Sequence, residues 1–320
     1  MVLVTGAGGF IGSHLVEALC ARGNPVRCLV RQESSRREIR GAEFVLADLV
    51  TGNGLGAALQ GVDSIIHLAG VTRALRPADY YRGNTRTSEN LARAIAGRAI
   101  RMVYVSSLAA AGPSRDGAPL GENDEPRPLT DYGKSKLEAE RIVRKLIPDA
   151  VIVRPPVVYG PRDRGVFQVM KPLGRGVALE IAGGPRVFSA IYVKDLVEGL
   201  MVSAASSKAA GQTYFLSHPK PVSWEELAAT AARIMGRQAR VLRVPLAAAR
   251  ALGATADFWS RLRGKPAVIS RDKIREAECR AWICDPSRAR AQLGFEACTP
   301  LEKGLAETLS WYKEAGWLRY

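Results

Sequence analysis

The apolar run Met102-Val103-Tyr104-Val105 ends in Ser106-Ser107, and further along Tyr132-Gly133-Lys134-Ser135-Lys136 sets a phenol four residues ahead of an ammonium. A tyrosine ionises near about pH 10 in water, so it is a poor base at neutral pH unless a cation favours its phenolate. If the segment up to Arg144 is helical, Tyr132 and Lys136 share one face. The spacing then predicts proton transfer at a substrate oxygen. Tyr132 exchanges the proton, Lys136 stabilises the ionised phenol, and Ser107 hydrogen-bonds the reacting oxygen from a strand end. Each residue also has a plain structural use, since Tyr-x-x-x-Lys is a common helical spacing and Ser107 suits a turn or a helix cap.

The chain opens on a second pattern, Thr5-Gly6-Ala7-Gly8-Gly9-Phe10-Ile11-Gly12, directly after the apolar Val2-Leu3-Val4. Glycines 6, 9 and 12 allow a tight turn, close approach to a pyrophosphate and close packing of a helix that continues through Leu15, Val16 and Leu19. Joined to the proton-transfer residues, this cradle predicts a nicotinamide dinucleotide, with Lys136 also holding the nicotinamide ribose. The second strand ends at Arg31, where a carboxylate would accept from the ribose hydroxyl of NAD; Arg36 and Arg37 follow. Guanidinium groups pair with a 2′-phosphate, so NADP is expected ahead of NAD, the alternative being that Arg31 is a solvated strand-end charge. Asp48-Leu49 closes the third strand, where it reads either as a contact to the adenine edge or as the cap of the next helix. His67-Leu68-Ala69-Gly70 closes the fourth beside the pyrophosphate and ribose, with His67 read as a packed strand-end residue.

These groups need a scaffold, and the sequence supplies a regular one. Val26–Val30, Glu43–Ala47, Ser64–Leu68, Arg101–Val105 and Val151–Arg154 are short apolar runs separated by helical stretches. That rhythm predicts an α/β fold, a Rossmann-type doubly wound parallel sheet with a smaller C-terminal substrate lobe. The sheet domain is expected over 1–155 with parts of about 186–217, and the lobe over most of 156–320, where Pro172, Gly183-Gly184-Pro185 and Pro219 to Pro221 break the pattern into short pieces. Ser223-Trp224-Glu225-Glu226 is a capping box opening a helix through Leu227, Ala231 and Ile234. Leu246–Leu262, apolar with interspersed arginines, reads as one or two helices over the cleft; ordinary packing accounts for its apolar positions, with a membrane-surface helix as the alternative.

The 320 residues hold 46 Lys and Arg against 31 Asp and Glu, a net charge of +15. The arginines are scattered, with no basic tail and no nucleic-acid motif, so a solvated basic surface is expected rather than nucleic-acid binding. An acidic substrate, such as a nucleotide sugar or an acyl thioester of coenzyme A, is compatible with that field. Cys20, Cys28, Cys279, Cys284 and Cys298 show no Cys-x-x-Cys spacing, and His14, His67 and His218 stand apart, so a reduced, cytoplasmic chain without a metal site is expected. A first strand starting at Met1 leaves no room for a signal peptide, and no apolar run spans a bilayer, so no stable membrane insertion is expected.

In these residues the chain resembles the extended short-chain dehydrogenase/reductases, the NAD(P)-dependent epimerase/dehydratase superfamily. The resemblance runs the whole length. It is carried by the glycine motif, His67–Gly70, Tyr81–Thr85, Val103–Ser107, Tyr132–Lys136, Arg154–Arg162, Ile191–Leu196, and Asp285-Pro286-Ser287 through Leu293-Gly294-Phe295. It implies that Ser107, Tyr132 and Lys136 form a catalytic triad and that Asn84 supports the site beneath the nicotinamide. Pro155 and Pro156 are implied near the nicotinamide, with Val157 and the residues after it lining the substrate cleft, and a homodimer through the helices after Asn84 and around Tyr132. Leu108-Ala109 follow Ser107 where sugar-nucleotide dehydratases carry Asp-Glu, so dehydration is not expected. Val157 stands where many nucleotide-sugar epimerases carry Asn, and Arg31 where they carry Asp. Both departures look like the dihydroflavonol-reductase and 3β-hydroxysteroid-dehydrogenase branches. The resemblance therefore implies an NADP-preferring oxidoreductase that interconverts a ketone and a secondary alcohol. A nucleotide-sugar epimerase with tightly bound NAD is the alternative. A cofactor-binding protein without chemistry would show a damaged triad, and this chain keeps it.

Overall fold

The computed structural model describes residues 1–31, 41–267 and 270–320. Its first half lays down β1 (Val2–Thr5), α1 (Phe10–Ala21), β2 (Val26–Val30), β3 (Ala42–Leu46), α2 (Leu55–Ala58), β4 (Ser64–His67) and α3 (Pro77–Tyr80). A π-helical turn at Tyr81–Arg86 leads into α4 (Thr87–Ile95), and β5 (Arg101–Val105), α5 (Leu108–Ala111), α6 (Asp131–Leu146) and β6 (Val151–Val153) follow. With β11 (Thr213–Tyr214) these strands form one seven-stranded sheet in the order β11-β6-β5-β4-β1-β2-β3, and every pair within it is parallel. The order reverses between β1 and β4, which opens a crevice at their carboxyl ends.

The strands are apolar at consecutive positions because both sheet faces are covered. Leu3, Leu29, Ile65, Met102 and Ile152 join one core beneath α4 and α6. Their neighbours Val4, Cys28, Ile66, Val103 and Val153 join the other, beneath α1 and a helix that returns from the second half. The expected strands are all present, the third, fourth and sixth ending one residue earlier than the apolar runs suggest.

From residue 157 onward the pieces shorten: β7 (Val157–Tyr159), α7 (Arg164–Leu173), β8 (Val177–Ile181), β9 (Val187–Phe188) and β10 (Ala190–Tyr192). The helix that returns to the sheet is α8 (Val193–Ala205), whose Leu196, Val197 and Leu200 enter the first-half core. Then come β12 (Val222–Ser223), α9 (Trp224–Ile234), β13 (Arg240–Val244), α10 (Leu246–Arg263), α11 (Arg271–Glu278), β14 (Ala281–Trp282), α12 (Ser287–Leu293) and α13 (Leu301–Glu314). Tyr159, Met170, Leu173, Tyr192, Leu227 and Leu305 head a separate core in this part. Ser223 caps α9 by accepting from the Glu226 N–H at 3.0 Å. The Glu226 carboxylate takes Lys220 instead of closing the box.

Residues 246–263 form one helix, and here ordinary packing does not account for the apolar positions. Only Ala249, Gly253 and Ser260 of α10 are buried, whereas Leu252, Phe258, Trp259 and Leu262 stay 55–63 % exposed.

Arg154, directly after β6, holds α6 onto the sheet. Its Nε and a terminal nitrogen donate to the two Glu140 oxygens at 2.9 and 2.6 Å, with both side chains buried. Removing one member strands a charge. Arg154→Leu is expected to lower unfolding free energy by about 3–5 kcal/mol, and Glu140→Leu with Arg154→Leu to restore most of it. Denaturant unfolding of the two variants measures both; equal losses would mean that the pair is not what holds the helix.

Candidate active site

Gly6 sits at φ +72°, and a Cβ there would stand 2.8 Å from the Ala69 nitrogen. On Gly12 a Cβ would collide with the Gly6 carbonyl, so α1 packs directly on the loop. Gly8 and Gly9 are exposed at the start of α1, with no side chain over its first amides. A dinucleotide pyrophosphate fits that opening. Phe10 and Ile11, half-buried, pack against the second-half core. Thr5, expected beside the cofactor, is fully buried and points elsewhere.

Its hydroxyl begins a hydrogen-bond chain across the crevice. The Ala69 N–H donates to Thr5 Oγ1 at 3.1 Å, and Thr5 Oγ1 lies 2.6 Å from His67 Nδ1. His67 Nε2 lies 3.0 Å from Ser88 Oγ, and the Ser88 hydroxyl donates to the Asn84 carbonyl at 2.6 Å. One proton assignment satisfies every link, with Thr5 donating to Nδ1 and Nε2–H donating to Ser88. Burial, then the Lys136 charge, push His67 down to about 3, so the ring is neutral and closed off. It is a packed strand-end residue.

Asn84 lies in the π-helical turn, a distortion often found at functional sites. Its amide donates to Val71 O at 3.1 Å and Ser135 Oγ at 2.9 Å, and its oxygen accepts from Val71 N at 2.7 Å. Ser135 in turn donates to the Tyr132 carbonyl at 2.8 Å, so Asn84 clamps the first turn of α6. A Cβ on Gly70 would stand 2.8 Å from Asn84 Oδ1 and 3.9 Å from Lys136 Nζ, which makes Gly70 the open floor between them.

The triad residues converge. Ser107 caps α5 by accepting from the Ala109 N–H at 3.1 Å, and its hydroxyl lies near enough to the Tyr132 phenol to oppose the effect of burial on it. The helix cap and the residue expected to be catalytic are the same. Burial pushes Tyr132 up to about 12, opposed by the nearby Ser107 hydroxyl, with Glu276 and Tyr80 adding to the rise. Lys136 does not pair with the phenol as its spacing suggests. Nζ donates to the Val105 carbonyl at 2.7 Å and lies 4.5 Å from the Tyr104 ring centre. Burial pulls this ammonium down to about 7, opposed by Glu140. It has three donors, so it fits a ribose hydroxyl beside Gly70.

The remaining predicted residues divide. Leu68 and Ala69 are half-buried beside the glycine loop. The Pro155 carbonyl accepts from Leu108 N at 2.9 Å, next to Ser107. Val157 is 41 % exposed. Arg31 is exposed at the end of β2, while Arg36 and Arg37 lie outside the described residues. Leu49 buries its side chain in the core under α4, so its backbone is the part that could meet an adenine edge. Asp48 neither caps a helix nor stands free; it accepts from Val50 N at 2.8 Å, tightening the turn after β3. Asn90, on α4, holds that turn by donating to the Leu49 and Val50 carbonyls at 2.9 and 2.8 Å, and no sequence signal marks it. Arg162 was visible only as part of a motif. At φ +73° it reaches back to Ser13 Oγ at 3.1 Å and to Glu17 at 2.8 Å, drawing the second half onto α1.

A parallel sheet with a glycine cradle at its switch point and Ser107, Tyr132 and Lys136 beside it defines an enzyme of the extended short-chain dehydrogenase/reductase type. The chain belongs to the NAD dependent epimerase/dehydratase family, whose model matches residues 2–216. It is 32 % identical to a ceramide reductase of Caulobacter vibrioides, over 99 % of this chain and 96 % of the relative. It is 26 % identical to the N-acetyl-alpha-D-glucosaminyl-diphospho-ditrans,octacis-undecaprenol 4-epimerase of Escherichia coli O157:H7, over 97 % and 94 % of the two chains. Among solved structures, MoeE5 in complex with UDP-glucuronic acid and NAD superposes with a TM-score of 0.79 at 25 % identity, covering 98 % of this chain and 99 % of that one. The protein is thus an NAD-dependent-family oxidoreductase or epimerase.

Because burial pulls Lys136 down to about 7, an anionic cofactor beside it would favour the charged form and raise that value. The sign follows: binding takes up a proton, and affinity falls as pH rises above about 7 until the raised value is passed. Calorimetry in two buffers of different ionisation enthalpy should show uptake near neutral pH that Lys136→Met removes. Identical uptake in that variant would assign the proton to another group.

Proposed function

We propose that the protein interconverts a ketone and a secondary alcohol on a small or medium organic substrate, using NADP in preference to NAD. The observation that carries this is the placement of the Tyr132 phenol beside Ser107, at the end of β5 whose Val105 carbonyl also holds Lys136, so that two hydroxyls would face a ketone oxygen there. Ser107, whose hydroxyl lies beside that phenol, would contact the same oxygen. The bound cofactor supplies or accepts the hydride. In reduction the carbonyl oxygen gains the Tyr132 proton as hydride adds to carbon, and Tyr132 is reprotonated from solvent. Leu108 and Ala109 offer neither acid nor base beside Ser107, which supports a reaction without dehydration. The relatives include, besides the ceramide reductase, a 2-alkyl-3-oxoalkanoate reductase at 26 % identity. Exposed Arg31 at the end of β2 supports the preference for NADP.

Tyr132→Phe should reduce kcat at least about a hundredfold while cofactor Kd changes less than about twofold, read by NADPH consumption and by titration. Full activity in the variant would sink the mechanism. Turnover with no net change in cofactor, together with retained NAD, would point to an epimerase instead.

Arg31→Asp should weaken NADP relative to NAD by roughly ten- to a hundredfold, the loss of one charge-assisted pairing. An unchanged ratio of the two dissociation constants would show that Arg31 does not read the phosphate.

A further inference from the structure

The outer face of α10 is apolar, exposed and held outward. At the helical turn angle, Phe258, Ala251, Leu262, Ala248, Trp259 and Leu252 fall within one arc of about 120°. Leu252, Phe258, Trp259 and Leu262 are 56, 60, 55 and 63 % exposed. Thr255, the polar residue within that arc, turns its hydroxyl back to the Ala251 and Leu252 carbonyls at 3.1 and 3.0 Å, so the face presents no unmet donor.

The opposite face is pinned to α11. A Cβ on Gly253 would stand 3.1 Å from Ile274 Cγ1, and Asp257 accepts from Arg271 N at 3.1 Å. Arg250 forks onto Glu278 at 2.8 and 2.9 Å. Rolling the helix to bury Phe258 and Trp259 would break all three. Exposure of this face is therefore built in, in a protein where scattered single apolar residues would need no explanation.

Charge indicates what covers it. No Asp or Glu stands between Asp257 and Asp272, whereas Arg261, Arg263, Lys265 and Arg271 do. Arg263 lies 5.8 Å from the Trp259 ring centre, at the edge of the apolar arc. Aromatic and leucine side chains on one face with cations at its margin are the signature of a helix lying in a lipid interface. A second copy would bring like charges together across a two-fold axis, while anionic headgroups would neutralise them.

We propose that α10 seats the protein on an anionic phospholipid surface, its apolar arc entering the headgroup boundary and Arg261, Arg263 and Lys265 meeting phosphates. This is adsorption: among the described residues no helix is long and apolar enough to cross a membrane. It also orients the active site. α11, clamped to α10, reaches the catalytic helix through Glu276, which accepts from Thr130 Oγ1 at 3.2 Å, and Thr130 caps α6 two residues before Tyr132. Tyr132 is thus one helix away from the seated face, within reach of a substrate delivered from lipid.

The test is flotation of the full chain with vesicles of phosphatidylcholine alone or of equal parts phosphatidylcholine and phosphatidylglycerol. Binding is expected with the anionic vesicles, weakening as salt is added. Phe258→Ser with Trp259→Ser and Leu262→Ser should lose at least about tenfold in affinity, and Arg261→Glu with Arg263→Glu and Lys265→Glu roughly a hundredfold. Both variants should keep the wild-type circular dichroism and NADP affinity. Wild-type protein that stays free of anionic vesicles, or an apolar-face variant that binds as well, overturns the assignment. So does a wild-type dimer that the same serine substitutions make monomeric, because the face would then be a contact between copies. Binding is read without turnover, so the result stands apart from the identity of the reaction.

Discussion

One face of α6 carries Tyr132, Lys136 and Glu140 at successive turns, and the buried Glu140–Arg154 pair at its inner end fixes that face on the sheet. Everything at the site depends on this stripe. Because Arg154 follows β6 directly, the pair ties the helix to the carboxyl end of the sheet, where Val105 offers its carbonyl to Lys136. The charges are graded along the stripe: a two-pronged ion pair deep inside, an ammonium that burial has pulled down to about 7, and a protonated phenol at the outer end. A buried ion pair of this kind contributes little net stability against an apolar substitute, but it specifies one position for the helix. At this site, position is what the chemistry requires.

Around the stripe, polar groups that cannot be left unpaired in a dry interior determine the local backbone. The chain from Ala69 through Thr5, His67 and Ser88 to Asn84 joins the ends of β1 and β4 to the π-helical turn. Asn84 then carries the connection to α6 through Ser135. The crevice at the topological switch point is thereby braced on both sides. The neutral His67 acts as a connector, since both of its ring nitrogens are already engaged.

Much of this was legible in the sequence because periodicity and spacing report backbone geometry. The apolar runs gave the strands to within a residue, and the glycine spacing placed the loop on the first helix. Spacing does not report where a long side chain ends. Tyr132 and Lys136 share a face as expected, yet the ammonium donates to the Val105 carbonyl. Thr5 ends β1 with its side chain turned into the interior, and Leu49, in the turn past β3, buries its side chain in the core under α4; a motif match reports neither. Arg162 and Asn90 act across long sequence separations, which no local pattern encodes. For α10 the apolar residues were visible but their environment was not: periodicity reveals a face, and only the tertiary structure shows whether anything covers it.

The distribution of charge links the interior to the surface. Among the described residues most arginines and lysines are exposed, while at the site Glu140 is committed to Arg154 and the Lys136 ammonium donates to a backbone carbonyl. Burial disfavours the charged form of that group. An anion arriving beside Lys136 would supply a counter-charge and relieve the penalty. The same field that attracts an anionic ligand from a distance would therefore become a local contact once it arrives. The basic surface and the buried ammonium are then two stages of one preference for negative charge, separated by the step at which water is excluded from the site.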